Sequence, residues 1–463
     1  MSLINFQLIS PRIQPNQLFK AIESVISSEK ISQAIASSKS RERRNRNLPT
    51  HVIIVLVIAM SFWSSYGIIA VFKNLIGGLT EKYIREKIRL KTPTSSSITE
   101  ARQRVGPRVM TRLFELIVRP LATPFTQGAF LKGLRLMAVD GTVFDVPDTE
   151  KNARVCGYPG TRPGTKAAFP KVRLVLLVEA GTHLICDALI SPYKMGERVR
   201  VRKLLRSVNS QMLLMWDRGL HSFKMVKSVL DKNCHFLGRM PKNVKFEVVK
   251  TLLDGSYISW IAPDRKSKKK GAKRIQVRII EYVIEEKGKD VVYRLITDLM
   301  DVEKFPALLL AKEYHSRWEV ENTLSEFKTY LNGRRTKVRS KKPREVIQEI
   351  YGWLLAHYSI RCLMFRAATE ANLPPLRLSF SGCLRVIQRA IPKFQKITEN
   401  ENYLFFSWLI TEMMSEIIPP RQNRSNPRVV KKTRCKFKNA KPIHRGNGSN
   451  YQKLTFNTIK AVA

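Results

Sequence analysis

Acidic residues are scarce in this chain. Its 463 residues include 37 Asp or Glu against 82 Lys or Arg, a formal charge of +45. Self-repulsion of that size opposes compaction unless a polyanion is near, which argues against an enzyme of small neutral metabolites and for nucleic acid or an anionic surface. Cysteine is also sparse. Cys156, Cys186, Cys234, Cys362, Cys383 and Cys435 form no C-x-x-C pair, and the 7 histidines do not cluster, so neither a zinc module nor a disulfide framework is signalled. No internal repeat is present, which excludes a solenoid. The start Met-Ser-Leu-Ile-Asn-Phe has no basic region followed by an apolar core, so a secretory leader is not expected. Long apolar runs are missing but for one: residues 51–72 carry no formal charge, long enough for a span of about 20 residues. Ser61, Ser64, Ser65 and Gly67 interrupt it, which predicts a buried helix, a turn and a second buried helix, with no membrane partner.

What is present is enough apolar material for a large core, 44% of residues, in a chain long enough for about three domains. Residues 1 to about 125 read as a helical N-terminal domain with a basic cluster, Arg41, Arg43, Arg44 and Arg46, suited to DNA. The Ser/Thr-rich patch 92–99 opens a helix that Ser97 or Thr99 is expected to cap, interrupted at Gly106-Pro107 and resumed through Leu121. From Leu134 the pattern becomes strand-like. Leu134–Val139 ends at Asp140; Val172–Val178 and His183–Ile190 flank a turn at Ala180-Gly181; residues 196–208 form a basic amphipathic helix; Met212–Trp216 ends at Asp217. Three strands, a helix and a fourth strand give the strand order of a ribonuclease-H-like sheet. The predicted fold class is α/β: a ribonuclease-H-like core over residues 126–335 with a β-rich insertion at about 240–300, a helical C-terminal region at 336–420 and a basic flexible tail at 421–463. The tail holds 12 Lys or Arg and no acid.

The segment Glu313–Tyr330 carries the chemistry. On a regular helix at about 100° per residue, with Tyr314 at zero, Arg317 falls near about 300°, Glu321 near about 340° and Lys328 near about 320°. A phenol, a guanidinium, a carboxylate and an amine share one stripe, whereas Glu319 and Glu326 lie on the far side. An exposed face with an Arg317/Glu321 pair accounts for this helix equally well, and a cap or turn role accounts for either Asp alone. Jointly the three acids favour a nuclease-type centre. Converging carboxylates repel unless a divalent ion relieves them, and all-oxygen donors suit Mg²⁺ or Mn²⁺. Two such ions about 4 Å apart support in-line phosphoryl transfer.

Tyr314, Arg317, Glu321 and Lys328 match a Y-x2-R-x3-E-x6-K signature, and the chain resembles the DDE transposases of bacterial insertion sequences, specifically the insertion-element-four family. Ala138-Val-Asp-Gly-Thr with Pro147-Asp148-Thr149 resembles that family's first-Asp motif, and Asp217-Arg-Gly-Leu-His-Ser222 its second, with Leu220 where an aromatic is usual. The likeness extends through most of the chain. It implies that Asp140, Asp217 and Glu321 are the catalytic, metal-binding triad using Mg²⁺ or Mn²⁺. It also implies that Tyr314, Arg317 and Lys328 hold phosphates of double-stranded DNA, and that Trp318 or Trp260 stacks on a flipped base unless buried in the core. It further implies a cytoplasmic, nucleoid-associated homodimer that cleaves at terminal inverted repeats and joins the 3′-hydroxyls to target DNA. Two alternatives use the same residues: a ribonuclease-H-like nuclease without strand transfer, and an inactive DNA-binding relic.

Overall fold

The uncharged run at 51–72 folds as two helices around a turn. In the computed structural model, which describes residues 20–38, 40, 48–79, 92–159, 167–241, 243–244, 246–286, 289–333, 338–419 and 460–461, the chain opens with helices α1 (Ser28–Ser37), α2 (Thr50–Phe62) and α3 (Ile68–Leu75). Helix α2 is apolar all round, and every residue but His51 is buried, as expected of a helix in a large core. Among the described residues, no helix is long and apolar enough to cross a membrane. Helix α4 (Ser95–Val105) begins earlier than expected: Thr94, not Ser97 or Thr99, is the cap, accepting from the Ser97 amide at 3.1 Å. Helix α5 (Arg108–Ile117) follows the Gly106-Pro107 break and ends short of Leu121.

Next come strand β1 (Phe130–Leu131), strand β2 (Leu134–Asp145), helix α6 (Glu150–Cys156), the hairpin β3 (Lys171–Glu179) and β4 (Leu184–Pro192), and helix α7 (Glu197–Leu204). Strand β5 (Met212–Trp216), helix α8 (Phe223–Leu230) and strand β6 (His235–Arg239) complete the predicted rhythm. The expected β-rich stretch is β7 (Lys250–Thr251), β8 (Tyr257–Ile261), the short helix α9 (Arg265–Lys268), β9 (Ile275–Glu286) and β10 (Lys289–Thr297). The C-terminal part holds α10 (Ala307–Tyr314), α11 (Trp318–Ser325), α12 (Pro343–Glu370), α13 (Phe380–Phe394) and α14 (Asn402–Met414), and strand β11 (Lys460–Ala461) pairs with β9.

The sheet order is β4-β3-β2-β5-β6-β10-β9-β8-β7. Strands β2, β3 and β4 are antiparallel neighbours, whereas β5 runs parallel to β2 and β6 parallel to β5. That is the ribonuclease-H-like core, in a mixed α/β chain. The later strands extend the same sheet, because β10 pairs with β6.

Strand periodicity divides the interior into two layers. Leu136 and Ala138 of β2, Leu174 and Leu176 of β3, and Leu213 and Met215 of β5 join one apolar core with the N- and C-terminal helices. Met137, Val139, Val175, Leu177, Leu214 and Trp216 face the other side, against α7 and α8. At the centre of the first layer runs α12, buried for most of its length. A Cβ on Gly352 would lie 2.7 Å from the Val57 carbonyl oxygen, so α2 and α12 approach backbone to backbone.

Two expectations change. Asp140 does not end β2, which continues to Asp145 paired with β3. Glu313–Tyr330 is not one regular helix: a 3₁₀ turn at His315–Arg317 separates α10 from α11, and a π turn at Glu326–Tyr330 follows. The basic cluster at 41–46 and the tail at 421–463, apart from 460–461, lie outside the described residues.

Candidate active site

Asp140 and Asp217 come together through strand register. The parallel pairing of β2 with β5 sets Arg135 beside Met212 and Ala138 beside Met215. Asp140 and Asp217 each lie two residues past the last pair of that ladder, and the Asp217 charge is near enough to act on Asp140. Parity also fixes the face. Asp140 follows Leu136 and Ala138, and Asp217 follows Leu213 and Met215, so both belong to the side covered by the helical layer. Asp140 thus stands two residues past the parallel pairing rather than at the end of its strand.

The Gly141 amide donates to Asp140 Oδ1 at 2.7 Å, and the Leu220 amide to Asp217 Oδ1 at 3.2 Å. Leu220 is buried in the second core, where it takes the place of the expected aromatic. Burial, with the nearby Asp217 and Glu197 carboxylates adding to it, lifts the Asp140 pKa to about 6 against the pull of the Gly141 amide and Arg317.

The signature segment lies over these acids, and α11 packs on β2. The Tyr314 hydroxyl donates to the carbonyl of Trp216, the residue before Asp217, at 3.2 Å, and burial pushes its pKa up to about 12. Arg317 is only 8% exposed. It pairs with Glu321 at 3.3 Å and lies within electrostatic reach of both Asp residues. The Lys328 amine sits 5.5 Å from the Phe144 ring; burial lowers its pKa while Asp140 opposes that fall. Trp318 and Trp260 are 53% and 40% exposed, so neither is a core tryptophan.

Of the residues singled out in the sequence, the structure gathers Asp140, Asp217, Arg317 and Lys328, with Tyr314 on the backbone beside them. Glu321 is turned to Arg317 with its side chain 42% exposed. Among the described residues, no three acid, His or Cys groups stand close enough to hold an ion as placed. Asp140 and Asp217 do fit a hard divalent ion in donor chemistry, because both offer carboxylate oxygen. Completing a triad requires Glu321 to leave Arg317.

Sequence reading missed two sets of groups. Glu197 lies against Gly141, paired with Arg173 at 2.7 Å; it was a single acid in a helix of bases and drew no notice. The far-side acids of the signature segment are structural. Glu319 and Glu326 bind His183 from either side at 2.6 and 2.7 Å, and Glu326 also pairs with Arg361 and with His357 at 3.2 Å. Their position on the helical wheel was the only signal.

The sheet order, with two carboxylates just past the parallel pairing and the signature segment above them, defines a fold of the ribonuclease-H class. A Transposase DDE domain model matches residues 131–358, and an Insertion element 4 transposase N-terminal model matches residues 16–115. Among curated relatives, "Transposase InsG for insertion sequence element IS4" of Escherichia coli K12 is 26% identical over 429 residues, covering 89% of this chain and 92% of that protein. "Putative transposase InsZ" of the same organism is 30% identical over 160 residues, 33% of this chain and 52% of that protein. A cryo-EM structure of the piggyBac transposase synaptic complex with hairpin DNA aligns over 87% of each chain at 10% identity and a TM-score of 0.43. The chain belongs to the insertion-element-four family of DDE transposases, enzymes that cleave DNA and transfer strands.

Proposed function

We propose that this transposase binds the terminal inverted repeats of its own element, cleaves there by divalent-metal-dependent phosphoryl transfer and joins the exposed 3′-hydroxyls to target DNA. The observation that carries the reading is that Asp140 and Asp217 both lie two residues past the last β2–β5 pair, on the face covered by the signature segment. Asp140, Asp217 and Glu321 would hold Mg²⁺ or Mn²⁺, which when bound supplies activation of the attacking oxygen and stabilisation of the leaving oxygen. The remaining residues orient the DNA. Arg317 and Lys328 offer cationic groups at the acids, where scissile-strand phosphates would lie. Tyr314 fixes the Trp216–Asp217 backbone through its hydrogen bond. Trp318, exposed beside Arg317, offers a stacking surface for an unpaired base. Arg317 holds Glu321 until a DNA phosphate takes over the guanidinium, and Glu321 then turns to the two Asp residues. Two copies pair two ends in one synaptic complex.

The test is the purified protein with Mg²⁺, DNA carrying the element's own inverted repeats and a supercoiled target. The expected result is nicking at the repeat termini and covalent joining to target, both absent in Asp140→Ala. Cleavage without joined product would favour a plain nuclease. Binding with no cleavage under any divalent ion would favour an inactive relic.

A further inference from the structure

The first turn of α7 reaches both candidate catalytic loops with two consecutive residues of opposite charge. Glu197 comes first. Its carboxylate lies so close to Gly141 that a Cβ there would be 2.4 Å from Oε1 and 2.6 Å from Cδ. Gly141 is the residue whose amide binds the Asp140 carboxylate. Glu197 is itself held from behind, since Arg173 of β3 donates to its Oε2 at 2.7 Å while the guanidinium rests 5.3 Å over the Tyr193 ring. Arg198 comes next. Its Nε donates to the Gly219 carbonyl at 2.6 Å, within the turn that starts at Asp217. A Cβ on Gly219 would stand 3.3 Å from both carboxylate oxygens of Asp217, and the following amide, of Leu220, binds Oδ1.

One helical turn therefore touches the backbone within two residues of each Asp. The body of α7 is fixed to the sheet by buried Val201 and Leu204, so that turn is a rigid reference, not a loose loop.

We propose that Glu197 and Arg198 are positioning residues which brace the Gly141 and Gly219 backbones and so set the spacing of the Asp140 and Asp217 carboxylates. The proposal rests on the reading of those two acids as metal ligands. Glu197 acts by shape and by its bond to Arg173. Displacing either backbone by a fraction of an ångström would misplace a donor that must lie within a narrow distance of a divalent ion.

The experiment compares full-length wild type with Arg198→Ala, Arg198→Lys, Glu197→Ala, Glu197→Gln and the control Asp140→Ala. Three readouts are taken: binding of free Mn²⁺ followed by electron paramagnetic resonance, Mg²⁺-dependent cleavage of end DNA, and end-DNA binding with Ca²⁺. The two Ala variants at 197 and 198 are expected to weaken Mn²⁺ binding at least threefold and slow cleavage at saturating Mg²⁺ at least tenfold. Their end-DNA affinity stays within twofold and their melting temperatures are unchanged. Arg198→Lys and Glu197→Gln, which keep a donor and the shape respectively, are expected to recover most of both losses. Wild-type Mn²⁺ affinity in both Ala variants overturns the proposal, as do losses that merely follow a falling melting temperature. A Glu197→Gln as impaired as Glu197→Ala overturns it too, since the charge and not the brace would then matter. If wild type itself fails to cleave, the transposition reading fails, and the Mn²⁺ affinities still decide the brace.

Discussion

Each ionisable side chain along the signature segment is assigned by what it touches. Lys328 lies 5.5 Å from the centre of the Phe144 ring and within electrostatic reach of Asp140, where its amine can meet a phosphate held at the acids. Lys328→Ala is expected to weaken end complexes and to lower the slope of log affinity against log salt by about 0.9, one phosphate's worth. Unchanged slopes in a titration at several salt concentrations would remove Lys328 from the DNA contacts. Glu326 is different. Burial disfavours its charge, but Arg361 and His183 outweigh that and hold its pKa well below the usual carboxylate range. Burial likewise opposes protonation of His183, and Glu326 with Glu319 overcomes it, so the His183 pKa is raised. The signs set a window. The Glu326 contribution is complete above the ordinary carboxylate pKa of 4.5 and fades as pH falls through its depressed value. The His183 contribution is complete below 6.5 and fades as pH rises through its raised value. The stability difference between wild type and Glu326→Gln, from melting curves, is therefore expected to peak between those pH values and shrink on both sides. Removing the group entirely, Glu326→Ala, leaves Arg361 uncompensated in the core and should cost about 3–5 kcal/mol.

At the scale of elements, the signature segment matters most. Its departure from a regular helix explains why a uniform wheel was only partly right. The 3₁₀ turn at His315–Arg317 changes the angle between Tyr314 and Glu321, and the π turn, closed by the Leu331 amide to the Glu326 carbonyl at 2.9 Å, changes the direction of Lys328 relative to the turns before it. Single-residue periodicity carries no sign of such turns. The strands were far more legible. Met212–Trp216 falls where its apolar run predicts, because a buried strand has to be apolar over its paired length. The extension of β2 past Asp140 was not legible, since Gly141 and Thr142 read as a turn and only pairing with β3 keeps them extended. The packing of α2 on α12 was equally hidden, because it depends on contact across nearly 300 residues of sequence. Gly352→Ala is expected to destabilise the fold by about 1–3 kcal/mol through the clash with the Val57 backbone. Denaturant melts of that variant that match wild type would show that the two helices can move apart without loss.

For the whole molecule, the charge of +45 and the pair of acids are two sides of one design. A protein this basic binds DNA chiefly by releasing counterions, so with six to ten phosphate contacts its affinity should fall by about 10³–10⁵ between about 50 and 200 mM salt. A shallow salt dependence in a fluorescence titration with random duplex would contradict that picture. The N- and C-terminal helices share one apolar core over a single face of the sheet, so the acids lie under a layer built from both ends of the chain.

The central claim is that Asp140 contacts a divalent ion during cleavage. Asp140→Cys tests it directly, because a thiolate binds Mn²⁺ far better than it binds Mg²⁺. The account predicts that this variant fails to cleave element-end DNA in Mg²⁺ and regains at least tenfold activity in Mn²⁺, while Asp140→Ala regains none. Equal inactivity of Asp140→Cys in both ions, or full activity in Mg²⁺, would contradict it.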